Sequence, residues 1–270
     1  MEIFGIHLDD DLLSFSDLSY LKRWSNTSPP PVEEIWSAMD IAWDESWAHS
    51  INNESDAMRL FYSHPVWLLN GVFTEVDAAS IGHREAIAND VAARQPDVVC
   101  DFGGGFGALA RRMAGLMPMT RIEVVEPYPR PVALALAKRY SNLAYVSELP
   151  AHTDVLIAQD VLEHVPNPID LTVKLISPLK SNGVFIAANC FQPVIKCHLP
   201  ETFHLLQTFR HCVAPLGLDF DRTIAGAPHA EIFLRNSRSP NLSRAHRREW
   251  ASRQLSPISR KLQRWASRLL

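Results

Sequence analysis

No apolar stretch in this chain of 270 residues reaches the roughly 18 residues of a membrane-crossing helix, so a helical span is not expected. The opening, MEIFGIHLDDDLL, meets acid at Asp9 and lacks the basic flank, apolar run and small-residue cleavage site of a secretory signal. The expected location is therefore the cytoplasm. Cysteine is sparse as well: Cys100, Cys190, Cys197 and Cys212 lie in or near apolar segments without paired spacing, which suits reduced core thiols and not a disulfide framework. Internal repeats are absent. Glycine is scarce, 11 in all, yet four fall within the five positions 103–107.

What is present points to a globular α/β protein. A hydrophobic content of 47% can bury one large core, or a core with a modest second lobe. The net charge of -4 hides an acidic body and a basic end, because residues 235–270 hold ten Lys and Arg against the single acid Glu249. Residues 10–95 read as helical and aromatic-rich, with Trp24, Trp36, Trp43, Trp47, Phe61, Tyr62 and Trp67 interrupted by the proline run of SPPPVEE. From Asp97 short β-branched runs alternate with helical patterns: DVVCDF, RIEVVEP, LAYVS, DVLIAQD and GVFIAAN read as strands, the last after a turn at SNG. Such alternation gives right-handed crossovers and a parallel sheet. The segment ETFHLLQTFRHCVAPL reads as one helix, and GLDFDRTIA with HAEIFLRN as an antiparallel hairpin on the sheet edge.

The crowded glycines lie where the first of these strands turns into a helix, in VVCDFGGGFGALARRMA. In an open α/β sheet that crevice binds ligands, and a helix N-terminus adds free amides and partial positive charge. Gly103, Gly105 and Gly107 would let a cofactor approach the backbone, with Asp101 at the strand end as a hydrogen-bond acceptor. About twenty residues on, Glu126 ends the next strand, the position from which an acid holds both hydroxyls of an adenosine ribose. Turn and acid together leave dehydrogenase and methyl-transfer chemistry as rivals.

The stretch DVLIAQDVLEHVPNP separates them. With the acid-x-Gly-x-Gly-x-Gly turn and Glu126, it makes the chain resemble class I methyltransferases dependent on S-adenosylmethionine (SAM), from about Arg84 to Asn236. The resemblance implies a doubly wound, Rossmann-like, mainly parallel seven-stranded sheet with an antiparallel final hairpin. It divides the chain into a helical lid and acceptor region at 1–83, a SAM-binding core at 84–236 and a basic tail at 237–270. It also implies that Asp101, Phe102, Gly103, Gly105 and Gly107 line the methionine part of SAM, with Arg84 on its carboxylate. Glu126 would hold the ribose, Pro127 or Tyr128 would lie against the adenine, and Ser147 or Glu148 would meet its amino group. Gln159 and Asp160 would sit beside the cofactor, whose product is S-adenosylhomocysteine (SAH).

Transfer from a sulfonium needs an in-line nucleophile, and a base only where the acceptor must lose a proton. His164 is the candidate base, with Glu163 read as a solvated or structural acid pointing away; His198 and His204 are candidates for binding or deprotonating the acceptor. His204 and His211, seven apart, would share one helix face. The pairs Cys197/His198 and His211/Cys212 do not make a metal site, since neighbouring side chains diverge and no closely spaced cysteine pair is present; no metal is expected. Tyr62, His64 and Trp67 would close over a small acceptor. The tail places Ile258, Leu262, Trp265 and Leu269 at helical spacing among basic residues, which suits docking on the acidic body or on a second subunit, or contact with an anionic membrane. No nucleic acid is expected. The implied activity is methylation of an oxygen or nitrogen of a small metabolite, such as a secondary metabolite or sugar. A membrane-associated glycan or lipid precursor, or a catalytically silent SAM-domain partner, are the alternatives.

Overall fold

The computed structural model describes residues 1–25, 28–50 and 54–266, the last eleven of these as backbone only. The N-terminal lobe opens with a minimal antiparallel pair, β1 (Glu2–Ile3) and β2 (Ile6–His7), where only helices were expected. Its turn is made by Phe4 and Gly5, both at positive φ. Helix α1 (Phe15–Leu21) starts on a reciprocal cap, with Ser14 accepting from the Asp17 amide and Asp17 from that of Ser14. After the prolines come α2 (Val32–His49), α3 (Glu54–Tyr62), α4 (Val66–Thr74) and α5 (Ala78–Ala93). Ile35, Ala38, Met39 and Ala42 form the buried stripe of α2 at helical spacing. The boundary expected at residue 84 falls inside α5.

Nine further segments follow: β3 (Val98–Phe102), α6 (Ala108–Leu116), β4 (Arg121–Val125), α7 (Pro131–Ala137), β5 (Leu143–Val146), β6 (Thr153–Gln159), α8 (Pro168–Ile176), β7 (Leu179–Ala188) and α9 (Phe209–Val213). The hairpin β8 (Leu218–Ile224) and β9 (Ala227–Arg235) and the helix α10 (Leu242–Ala266) complete the chain. The seven-stranded sheet runs β5-β4-β3-β6-β7-β9-β8, parallel from β3 to β7 and antiparallel at β9 and β8. One face packs on α5 and α6 through Ile87, Val91 and Met113, and the other on α8 and α9 through Ile169, Leu175 and Phe209. The strand order reverses between β3 and β6, so their C-terminal ends open the crevice where this fold binds ligands.

Two expectations are corrected. SNG is not a turn before the strand but part of β7, where Asn182 takes a φ of 63° and the pairing with β6 shifts register between Thr153 and Val155. The segment 201–216 is not one helix. Pro200 opens a 3₁₀ turn to Leu206, α9 follows, and a second 3₁₀ turn covers Ala214–Leu216, since Pro215 cannot supply an amide to a continuing helix. His204 and His211 therefore share no helical face.

The lobe is not a detached cap. Its core of Ile35, Phe61, Leu69 and Phe73 continues into Phe106 of the glycine turn, Val132 of α7 and Cys197. Lys196 adds a backbone bond to Asp40 at 2.7 Å and an ion pair with Asp44, both on α2.

Candidate active site

At the end of β3 the backbone doubles back through Gly103, Gly105 and Gly107 at φ of 72°, 50° and 77°. A side chain at Gly105 would meet only the Gly103 carbonyl, 3.9 Å from its Cβ, so the turn is open to a ligand there. The Gly105 amide donates to Glu126 Oε2 at 3.0 Å, and the Tyr128 amide to Oε1 at 2.9 Å. Glu126 is thus aimed by two backbone donors while each oxygen keeps a lone pair. From β5, Tyr145 donates its hydroxyl to the Gly105 carbonyl at 2.9 Å. Asp101 is 2% exposed, and its Oδ2 has no hydrogen-bond partner among the described residues. Burial, and then the charge of Glu126, push its carboxyl up to about 7.

Across the crevice, β6 ends at Gln159 and Asp160 follows at a φ of 52°, a conformation that Asp tolerates better than most residues. A 3₁₀ turn at Leu162–His164 follows. It turns Glu163 fully inward, where Oε1 accepts the Cys190 amide at 2.6 Å and Oε2 has no partner among the described residues. Burial, then Asp160, raise this carboxyl to about 8. The His164 ring meets that of His198 edge-on at 4.9 Å between centroids. Each ring has Nδ1 on a carbonyl oxygen, Cys197 at 3.1 Å for His164 and Gln192 at 2.8 Å for His198. Burial, then His198, lower His164 to about 3.

The lobe reaches both halves of this crevice. Tyr62 stacks on Tyr128 at 6.0 Å and an angle of 11°, and it also meets His164 edge-on at 6.5 Å. Trp67 stacks on Tyr62 at 5.3 Å and meets His164 at 6.2 Å. The Tyr62 hydroxyl is pushed up by burial, with Cys197, Glu163 and Glu126 adding, so it stays neutral.

A glycine-rich turn, an amide-aimed acid one strand over and a polar cluster at the switch point make a nucleotide-cofactor site of a particular kind, and sequence comparison decides which. A family model described as a methyltransferase domain matches residues 78–256. The chain belongs to the methyltransferase domain family. It is a SAM-dependent methyltransferase, and its fold is shared with solved relatives. An O-methyltransferase family protein from Burkholderia thailandensis is 12% identical with a TM-score of 0.50, covering 83% of this chain and 77% of that one. Human N-acetylserotonin methyltransferase, solved with SAM, is 18% identical with a TM-score of 0.50, covering 83% and 70%. A mitomycin 7-O-methyltransferase is 15% identical with a TM-score of 0.50, covering 84% and 74%. No match was found among curated proteins.

In this methyltransferase Asp101, the glycines, Glu126 and Tyr128 gather on one side of the crevice, and Tyr62, Trp67, His164 and His198 on the other. Phe102 ends β3, partly buried, and Pro127 lies on the exposed loop after β4. Gln159 bonds Asp160 at 3.3 Å. Other candidates stand apart. His204 lies 3.7 Å from Glu249 of α10, in a buried pair. His64 accepts the Val66 amide at 3.1 Å and packs on Tyr20, which makes it a helix-start residue. Ser147 and Glu148 are exposed just beyond β5. Arg84 donates to the Thr74 carbonyl at 3.0 Å and pairs with Glu75 at 3.8 Å. Sequence reasoning missed Glu163, which is buried and not solvated, and Tyr145, which buttresses the turn; the signal for Glu163 was the prolines Pro166 and Pro168, which stop a helix from starting directly after β6.

Among the described residues no helix is long and apolar enough to cross a membrane. The first half of α10 lies on the body, with Ala245 fully buried, His246 on Asp170 at 2.9 Å and Ser252 on Thr208 at 2.6 Å. Ile258, Leu262, Trp265 and Leu269, the apolar stripe expected of the tail, lie outside the described side chains.

Proposed function

We propose that this methyltransferase moves a methyl group to an oxygen or nitrogen of a small acceptor, a secondary metabolite or sugar, held between the lobe and the end of β6. The observation that carries this reading is Tyr62, stacked on Tyr128, whose amide holds Glu126, and edge-on to His164. One aromatic wall thereby spans the cofactor side and the polar side of the crevice, and walls of this kind enclose small ligands.

The residues present suit SAM. Asp101 offers a buried, unpartnered oxygen, the open approach at Gly105 admits the methionine end, and the aimed oxygens of Glu126 fit a vicinal diol. SAM supplies an electrophilic methyl carbon on a sulfonium. The chain contributes position and exclusion of water: the turn fixes the donor, while Tyr62 and Trp67 restrict the acceptor to a line of approach. With its Nδ1 on a carbonyl, His164 presents a lone pair at Nε2. Burial lowers it to about 3, so it rests neutral: Nε2 accepts a hydrogen bond from the acceptor, orients it, and takes the proton that the attacking atom sheds as it gains the methyl group. His198 is disposed in the same way. The docked first half of α10 supports the tail as a structural strap on the acidic body.

Calorimetric titration with SAH is the test. Micromolar binding that falls by about 100-fold or more in Glu126→Ala is expected, since two ribose hydrogen bonds to a charged acceptor are worth about 1.5–3 kcal/mol each. An acceptor screen by mass gain of one methyl group then follows. A folded protein that ignores both SAH and SAM would defeat the reading.

A further inference from the structure

Glu163, His164 and His198 each offer one donor atom to a common point, the three atoms lying within 4.8 Å of one another. The hydrogen bonds fix which atoms are free. A backbone carbonyl has no proton to give, so each imidazole must donate from Nδ1, to Cys197 in one case and Gln192 in the other. That leaves both Nε2 atoms with bare lone pairs. Histidines that ligate metals are held in this way, with the second nitrogen on a carbonyl or carboxylate. Glu163 repeats the pattern, since Cys190 anchors Oε1 and leaves Oε2 buried without a partner among the described residues. A wholly buried, unpartnered carboxyl oxygen and two imidazole lone pairs thus lie together; a cation binding there takes the place of the proton that burial otherwise keeps on Glu163.

We infer that Glu163, His164 and His198 bind a divalent transition-metal cation, against the sequence expectation of no metal. Two imidazoles and one carboxylate suit zinc, cobalt, iron or manganese better than magnesium or calcium. Ligand bonds of about 2.1 Å in a tetrahedron put donors about 3.4 Å apart, so side chains separated by at most 4.8 Å close on the ion by small rotations. Three protein ligands leave at least one position open, as in catalytic sites. The His164 ring meets Tyr62 and Trp67 edge-on, which puts the aromatic wall beside the site. The cation would then hold an acceptor oxygen where the imidazoles alone would accept a hydrogen bond. This use rests on the methyl-transfer reading, whereas the site itself rests on the donor geometry.

The test adds Co²⁺, whose visible absorption reports nitrogen ligation and coordination number, to the full-length protein after chelation and dialysis. One Co²⁺ per chain is expected. His198→Ala and Glu163→Gln should each weaken binding by more than the roughly 10–100-fold that losing an outer-shell partner costs, and surface His246→Ala should leave it unchanged. SAH titration of all four proteins runs beside it as the check on folding and on the cofactor. Absence of Co²⁺ binding in a wild-type chain that binds SAH overturns the metal site, as does binding that survives both substitutions. Co²⁺ binding without SAH binding would uphold the site and strike the methyl-transfer reading instead.

Discussion

Asp101 shows how much a single buried acid governs at this site. Its folded pKa of about 7 exceeds the unfolded value of about 3.9, so the folded chain holds this proton more tightly. The free enzyme therefore loses stability from this group as pH rises between about 4 and 7, and the loss is complete above 7. Asp101→Asn removes that component: urea unfolding is expected to show the variant more stable than the parent at pH 8 and no more stable at pH 4. Binding has the opposite sign. A ligand ammonium favours the ionised carboxylate, so SAH affinity should rise through pH 7 in the parent, while the variant binds about tenfold or more weaker at pH 8 without that slope. Asp101, the glycines and Glu126 were legible in the sequence because each is demanded by chain geometry next to its own strand. Glu163 was legible only in part: Pro166 and Pro168 mark the broken turn after β6, but the Cys190 amide that holds its carboxyl is distant in sequence and no local pattern encodes it.

Among the elements, the glycine turn and the segment after β6 behave as one unit. A Cβ on Gly103 would stand 2.5 Å from Val161 Cγ2, at a φ of 72°, so the two segments can touch only because residue 103 has no side chain. Gly103→Ala should lower SAH affinity by about tenfold or more, through both the clash and the roughly 1–2 kcal/mol cost of a left-handed alanine. Adding Val161→Ala should return only the part owed to the clash; full recovery on calorimetry would mean the backbone carries no strain. Strands and the order of motifs were readable because alternation of β-branched runs with helical periods is local. The broken path of 200–216 was not, because Pro200 and Pro215 act against a run of residues that otherwise favours one helix. The β1–β2 pair also escaped notice, being two residues per strand and held by the lobe's core.

At the scale of the whole molecule, the first half of α10 is part of the fold. Ala245 is fully buried in the core that includes Ile169, Phe209 and Leu216, so Ala245→Asp should cost about 3 kcal/mol or more in urea unfolding. Trp250, 65% exposed, should tolerate aspartate within about 0.5 kcal/mol. The charge contrast between body and tail was visible in composition, but its docking geometry required the hydrogen bonds of His246 and Ser252. The stack of Tyr62 on Tyr128 carries a consequence for turnover. Because the lobe's ring rests on the residue two beyond Glu126, an acceptor seated beneath that ring blocks the path by which the nucleoside enters and leaves. Addition should therefore be compulsory in sequence, the nucleoside arriving first and departing last. Steady-state inhibition by SAH is expected to be competitive against SAM and noncompetitive against the acceptor, and Tyr62→Ala should convert this to random order by opening a second way out.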